Sequence, residues 1–183
     1  FQNIEIIVVD DNSSDGSVKV IEQLVRKDSR IKMILLEENH GAGHARNVGM
    51  QFARGDYLMF LDGDDFFSSV MLEKLYSICE KYNTDIAVCN AYMHDHVSGK
   101  NELFDETSRY KFDKVGIPFA LKEIAPYAFQ FMHEMAWNKM FRRKFVLNTG
   151  VKFQEQHNAN DQFFVFANLM SAANIVMYPE PLV

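Results

Sequence analysis

The stretch Tyr57–Asp65, YLMFLDGDD, limits what this chain can become more than any other. Tyr57, Leu58, Met59, Phe60 and Leu61 form an apolar run too short to cross a bilayer, and it reads as a strand buried on both faces. The run stops at Asp62, Asp64 and Asp65, grouped around Gly63, where the backbone can turn sharply. Carboxylates this close repel one another, and a divalent cation is the simplest relief at neutral pH. The expectation is a metal site at the mouth of an α/β sheet, serving a phosphate-bearing substrate.

Two earlier units lead into that strand. Ile4–Val9 is a β-branched run suited to a buried parallel strand. It ends in Asp10-Asp11-Asn12-Ser13-Ser14-Asp15-Gly16, a loop of turn formers and helix caps. A helix from Ser17 to Asp28 follows, with Val18, Ile21, Leu24 and Val25 on one face. The loop also fits the spacing of a calcium EF-hand, but that motif needs a helix in front, and IEIIVV is a strand former. Asp10 and Asp11 instead fall at the carboxyl end of a strand, where open α/β sheets bind ligands. An Asp there can accept hydrogen bonds from a nucleobase imide or a ribose hydroxyl.

The second unit has a strand over Ile31–Leu36 and a helix starting near Gly43. Gly41, Ala45, Arg46, Asn47 and Gly49 make a G-x-x-x-A-R-N-x-G pattern, whose small residues let the helix approach the sheet closely. Arg46 is then the strong cation beside the acidic rim, free to pair with a phosphate or with a neighbouring carboxylate. His40 and His44 read as polar residues of the loop and helix start rather than metal ligands. Strand–helix–strand–helix–strand implies right-handed crossovers and a parallel sheet, which puts Asp10-Asp11 and Asp62–Asp65 on one carboxyl rim. A diphosphate would be repelled there unless Mg²⁺ or Mn²⁺ lay between, and carboxylate and phosphate oxygens are the ligands those ions prefer. Neither a P-loop nor a Rossmann glycine pattern is present.

Composition sets the outer limits. At 183 residues the chain suits one domain, 1–183, able to bury roughly 70% of its unfolded surface. A net charge of −6 argues against a nucleic-acid binder, since no basic stripe exists to neutralise phosphates. Cys79 and Cys89 have neither metal nor redox spacing, which suggests buried thiols in a cytoplasmic protein.

VVDDNSSDGS, G-x-x-x-A-R-N-x-G and YLMFLDGDD, in this order and spacing, resemble family 2 glycosyltransferases of the GT-A fold. The resemblance is strong from Ile4 to about Met93. It implies a mostly parallel central sheet flanked by helices on both faces, and an inverting enzyme using a nucleotide-diphosphate sugar. The family opens with one further βα unit, so the abrupt start at FQNIEIIVVDD suggests that this unit is missing. By the same resemblance residues 1–94 are the nucleotide-sugar half, where Asp10, Asp11, Arg46 and Asp62 serve the donor. Asp11 matches the Asp that contacts the base, and Asp62 and Asp64 match the D-x-D motif whose last Asp binds Mg²⁺ or Mn²⁺.

The rest, 95–183, would face the acceptor. Val70–Lys81 reads as an amphipathic helix, Ile86–Tyr92 as a strand, and 94–114 as a polar surface excursion or hairpin. Residues 119–135 are aromatic-rich and expected to be helical in part. Trp137-Asn138-Lys139 is similar to a family stretch beside the acceptor, with Trp137 either stacking on a sugar or serving as a core aromatic. The family carries E-D-x-x-F where this chain has Asn160-Asp161-Gln162-Phe163-Phe164. The resemblance makes Asp161 the general base for the acceptor hydroxyl, although an Asp also favours a helix N-cap. A UDP-sugar donor and a saccharide or lipid-linked acceptor, with peripheral membrane association at the inner face, are the implied partners. Two other readings compete: a sugar-nucleotide-binding domain impaired by Asn160, and a D-x-D phosphatase with Asp62 as nucleophile.

Overall fold

The computed structural model describes residues 1–104, 114–127 and 133–183, so part of the expected 94–114 excursion and of the helical 119–135 stretch lies outside the described residues. The first half runs β1 (Ile6–Asp10), α1 (Ser17–Lys27), β2 (Ile31–Leu35), α2 (Ala42–Phe52), β3 (Tyr57–Met59) and α3 (Met71–Tyr82). The second runs β4 (Ile86–Asp95), β5 (Lys100–Phe104), a 3-10 turn at Leu121–Tyr127, β6 (Lys139–Arg142), α4 (Arg143–Thr149), α5 (Gln162–Ser171) and β7 (Ile175–Pro181).

The α/β class holds, but the sheet is mixed rather than mostly parallel. β1 and β2 pair in parallel, as their βαβ crossover demands. In the larger sheet, ordered β3-β6-β4-β5, only β7 joins β4 in parallel; β3–β6, β6–β4 and β4–β5 are antiparallel. The crossover argument covers strands adjacent in sequence. It is silent on β6, which arrives from residue 139 and inserts between β3 and β4.

Among the described residues β3 finds its ladder on β6, where Tyr57, Leu58 and Met59 pair with Arg142, Phe141 and Met140. Phe60 stays buried, edge-on to Phe141, Phe153 and Phe164, whereas Leu61 is 44% exposed, contrary to a strand buried along its whole length.

β4 organises the core. Its alternate side chains separate into two clusters, as a period of two requires. Ile86 and Val88 join Phe141, Ile175 and Met177 under α5, which contributes Phe164, Val165 and Leu169. Ala87 and Cys89 join Met140 under α3, which contributes Met71, Leu75 and Cys79. Both cysteines are free thiols, and burial pushes the Cys79 thiol up to about 11. The expected excursion after 94 begins as a hairpin, with Asp95 accepting the backbone N–H of Val97 and Ser98 in its turn.

The β1–β2 pair makes no ladder with the larger sheet among the described residues. Glu5 bridges the two instead. Its Oε1 accepts the backbone N–H of Arg54 at 2.6 Å and of Gly55 at 3.0 Å, while Lys32 donates to Oε2 at 2.8 Å. Partial burial works to raise the Glu5 pKa, but those hydrogen bonds outweigh it and hold the carboxyl below its ordinary range. No helix among the described residues is long and apolar enough to cross a membrane.

Candidate active site

The site assembles on one face of α2. At the helix start Gly41 adopts φ +88°, a conformation that L side chains resist. Its N–H and that of His40 point outward and unpaired by the helix, and Asp11 accepts both, at 2.6 Å through Oδ2 and 2.9 Å through Oδ1. Each Asp11 oxygen keeps a second lone pair. Asp10 is buried and its Oδ1 accepts the Ser13 N–H at 2.9 Å, which shapes the loop after β1.

One turn further along, Arg46 pairs with a neighbouring carboxylate. Its Nη2 donates to Asp62 Oδ1 at 2.6 Å and its Nη1 to Asn160 Oδ1 at 2.6 Å. The guanidinium also lies over the Phe153 ring, 5.5 Å from its centroid, and the side chain is only 15% exposed. Gly41 and Arg46 are about 7.5 Å apart along the helix axis at 1.5 Å per residue. The motif after β1, the motif after β3 and the turn before α5 therefore meet the same short length of α2.

The sequence reading missed what fastens that turn. Asn47 is buried and clamps the Phe153 backbone from both sides: its Nδ2 donates to the carbonyl at 3.0 Å and its Oδ1 accepts the N–H at 2.9 Å. Nδ2 also donates to Glu155 Oε1 at 3.1 Å, and His44 Nδ1 lies 3.1 Å from Glu155 Oε2. Hydrogen bonds from Asn47 and then His44 hold the Glu155 carboxyl below its ordinary range. A Cβ on Gly43 would sit 2.1 Å from the Gln154 carbonyl oxygen, so this close approach needs glycine. A signal for the clamp was present. Asn is a poor residue for a helix interior and belongs there only when its amide has partners.

The acidic loop is open. Asp62 is half-buried and tied to Arg46; Asp64 is exposed and makes no hydrogen bond or ion pair among the described residues. Partial burial, then the charges of Asp62 and Asp64, push the Asp65 carboxyl up. Among the described residues no three His, Cys, Asp or Glu side chains converge on one point. The donors on offer are hard oxygens alone, Asp64 and the outer oxygen of Asp62. That set fits Mg²⁺ or Mn²⁺, which take one or two carboxylates together with substrate phosphate oxygens.

Asp161 stands at the N-cap position of α5, yet its carboxylate makes no capping bond and no other hydrogen bond or ion pair among the described residues. Its neighbour Asn160 is the residue Arg46 holds. Trp137 is half-buried and its ring contact is with Phe104, 6.4 Å away, outside the Arg46 cluster. Lys139 lies on the stretch that the resemblance puts beside the acceptor. It is completely buried, and its ammonium donates to the Met135 carbonyl and to Asn138 Oδ1, both at 2.8 Å, tying down the turn before β6.

The sequence profile of glycosyl transferase family 2 matches residues 1–150. The putative glycosyltransferase EpsH of Bacillus subtilis is 32% identical over 184 residues, covering 98% of this chain and 51% of EpsH. S. aureus TarS 1–349, solved in complex with UDP-GlcNAc, superposes with a TM-score of 0.77 at 22% identity over 94% of this chain and 46% of that one. A mannosyltransferase from Pyrobaculum calidifontis, solved with GDP-Man and Mn²⁺, superposes with a TM-score of 0.66 at 16% identity over 96% and 45%. The chain spans about half the length of these relatives.

Proposed function

This chain belongs to glycosyl transferase family 2, and from that premise we propose that it is the catalytic core of a metal-dependent, inverting glycosyltransferase. It moves a sugar from a nucleotide-diphosphate donor to an acceptor hydroxyl in polysaccharide or glycoconjugate synthesis. One observation carries the reading: Asp11, Asp62 and the Asn160-Asp161 turn meet on α2, so a donor site and an uncommitted carboxylate adjoin.

Asp11 receives the donor's base or ribose, using the lone pairs that the His40 and Gly41 N–H groups leave open. Asp161 takes the proton of the acceptor hydroxyl as its oxygen attacks the anomeric carbon. The bond from that carbon to the diphosphate breaks, the electron pair leaves with the diphosphate, and configuration inverts. Asp64, with Asp62, would hold Mg²⁺ or Mn²⁺, which when bound neutralises charge growing on the leaving diphosphate. Mn²⁺ in the mannosyltransferase complex supports the metal, and UDP-GlcNAc in TarS supports a UDP-sugar. Trp137 is assigned to the acceptor side, where a saccharide or lipid-linked acceptor would stack. The net charge of −6 disfavours nucleic acid as a partner. The reaction is placed in the cytoplasm, at the inner face of the membrane when the acceptor is lipid-linked.

Calorimetric titration of the full-length protein with UDP-, GDP- and dTDP-sugars, with and without Mn²⁺, tests this. One donor should bind only with metal, and Asp64→Ala should abolish that binding. Metal-independent binding, or none, would contradict the reading.

A further inference from the structure

Asp62 and Asn160 are 98 residues apart in sequence, and one side chain joins them. We infer that Arg46 is a positioning residue that locks the acidic loop after β3 to the turn carrying Asp161, fixing the separation of donor and general base; this rests on the transferase reading above.

Each terminal nitrogen of Arg46 donates one hydrogen bond at 2.6 Å, and the guanidinium is backed by the Phe153 ring. A guanidinium held in a planar fork orients its partners as well as attracting them. The same face of α2 fixes the backbone of that turn twice more, through the Asn47 clamp on Phe153 and the Gly43 contact with Gln154. Gln154 in turn donates its N–H to the Asn160 carbonyl at 3.0 Å. The residue before Asp161 is thus held by its side chain and by its backbone, and both restraints lead back to α2.

Asn160 takes on a meaning of its own. It gives Arg46 a directional acceptor without a second negative charge beside Asp161, so Arg46 has one carboxylate partner, Asp62. A Glu at this place would set two carboxylates side by side in sequence and favour the protonated base. Asn160, neutral and one methylene shorter than Glu, makes its connection to Arg46 through the amide oxygen.

The test uses the full-length protein with Arg46→Ala, Arg46→Lys, Asn160→Ala and the double alanine variant, measuring donor Kd by calorimetry and kcat for transfer. Loss of alignment costs kcat about 100-fold in Arg46→Ala while donor Kd stays within about threefold. Lys does not rescue, because an ammonium cannot reproduce the fork. The double variant is no worse than Arg46→Ala, since both changes break one connection. Hydrogen exchange in Arg46→Ala should rise at both 62–65 and 160–162, a readout independent of turnover.

Donor binding weakened more than about tenfold with kcat unchanged would make Arg46 a phosphate ligand and overturn the proposal. Additive losses, or unchanged exchange in both segments, would overturn it too. Transfer by the unaltered protein that Arg46→Ala matches would sink this inference alone. No transfer by the unaltered protein would overturn the transferase reading, and this one with it.

Discussion

The β1–α1–β2 layer and the sheet around β4 are written in similar residues and end in different environments. IIVVD and IAVCN are both apolar strands, yet Ile6 is 39% exposed while Ile86 is wholly buried. No residue of α1 is fully buried, whereas α3 and α5 each bury three or more. The difference lies in the neighbours. β4 has β5, β6 and β7 beside it and helices over both faces; among the described residues β1 has one ladder partner, β2, and α2. Strand composition says that a strand forms, and the number of layers around it says what that strand stabilises.

That contrast can be broken in several places. The largest effect is expected from Phe164→Ala, because Phe164 is fully buried, stacked on Phe153 at 3.9 Å and edge-on to Phe60 and Phe141. It should cost about 3–5 kcal/mol in denaturant unfolding. Asn47→Ala comes next. It strips the buried Phe153 backbone of both partners and should cost about 2–3 kcal/mol, with transfer lost beyond that. Leu24→Ala, at a site 45% exposed on α1, should cost less than about 1 kcal/mol. A loss as large as that of Phe164→Ala would mean that the two layers are equally packed.

The smallest effect belongs to pH. Arg30 hydrogen bonds hold the half-buried Asp28 down to about 2. A depressed carboxyl stabilises the fold above its unfolded pKa, about 4, and that contribution disappears as pH falls through 2. Between pH 5 and 2 the urea midpoint of the unaltered protein should fall slightly more than that of Asp28→Asn.

Much of the fold was legible because its signals are local. The helix expected from Ser17 to Asp28 spans Ser17–Lys27, and the one expected over Val70–Lys81 spans Met71–Tyr82. What the sequence hid was non-local. β6 pairs antiparallel with both β3 and β4, which makes the sheet mixed rather than parallel. The same holds at the site. Motif spacing put Asp11 and Asp62 at strand ends and the resemblance marked Asp161, but the hydrogen bonds that reach the turn before α5 pass through Arg46 and Asn47 to residues more than 100 positions away. Nothing local in the sequence marks Lys139 as buried, with its ammonium donating to the turn at Met135 and Asn138.

The role of Asp161 as the proposed base beside a donor site on α2 is decided by single-turnover transfer in Asp161→Asn, with donor binding measured on the same sample. The donor Kd with Mn²⁺ should be unchanged and transfer should fall by about 10²–10⁴-fold. Transfer at the unaltered rate would contradict it.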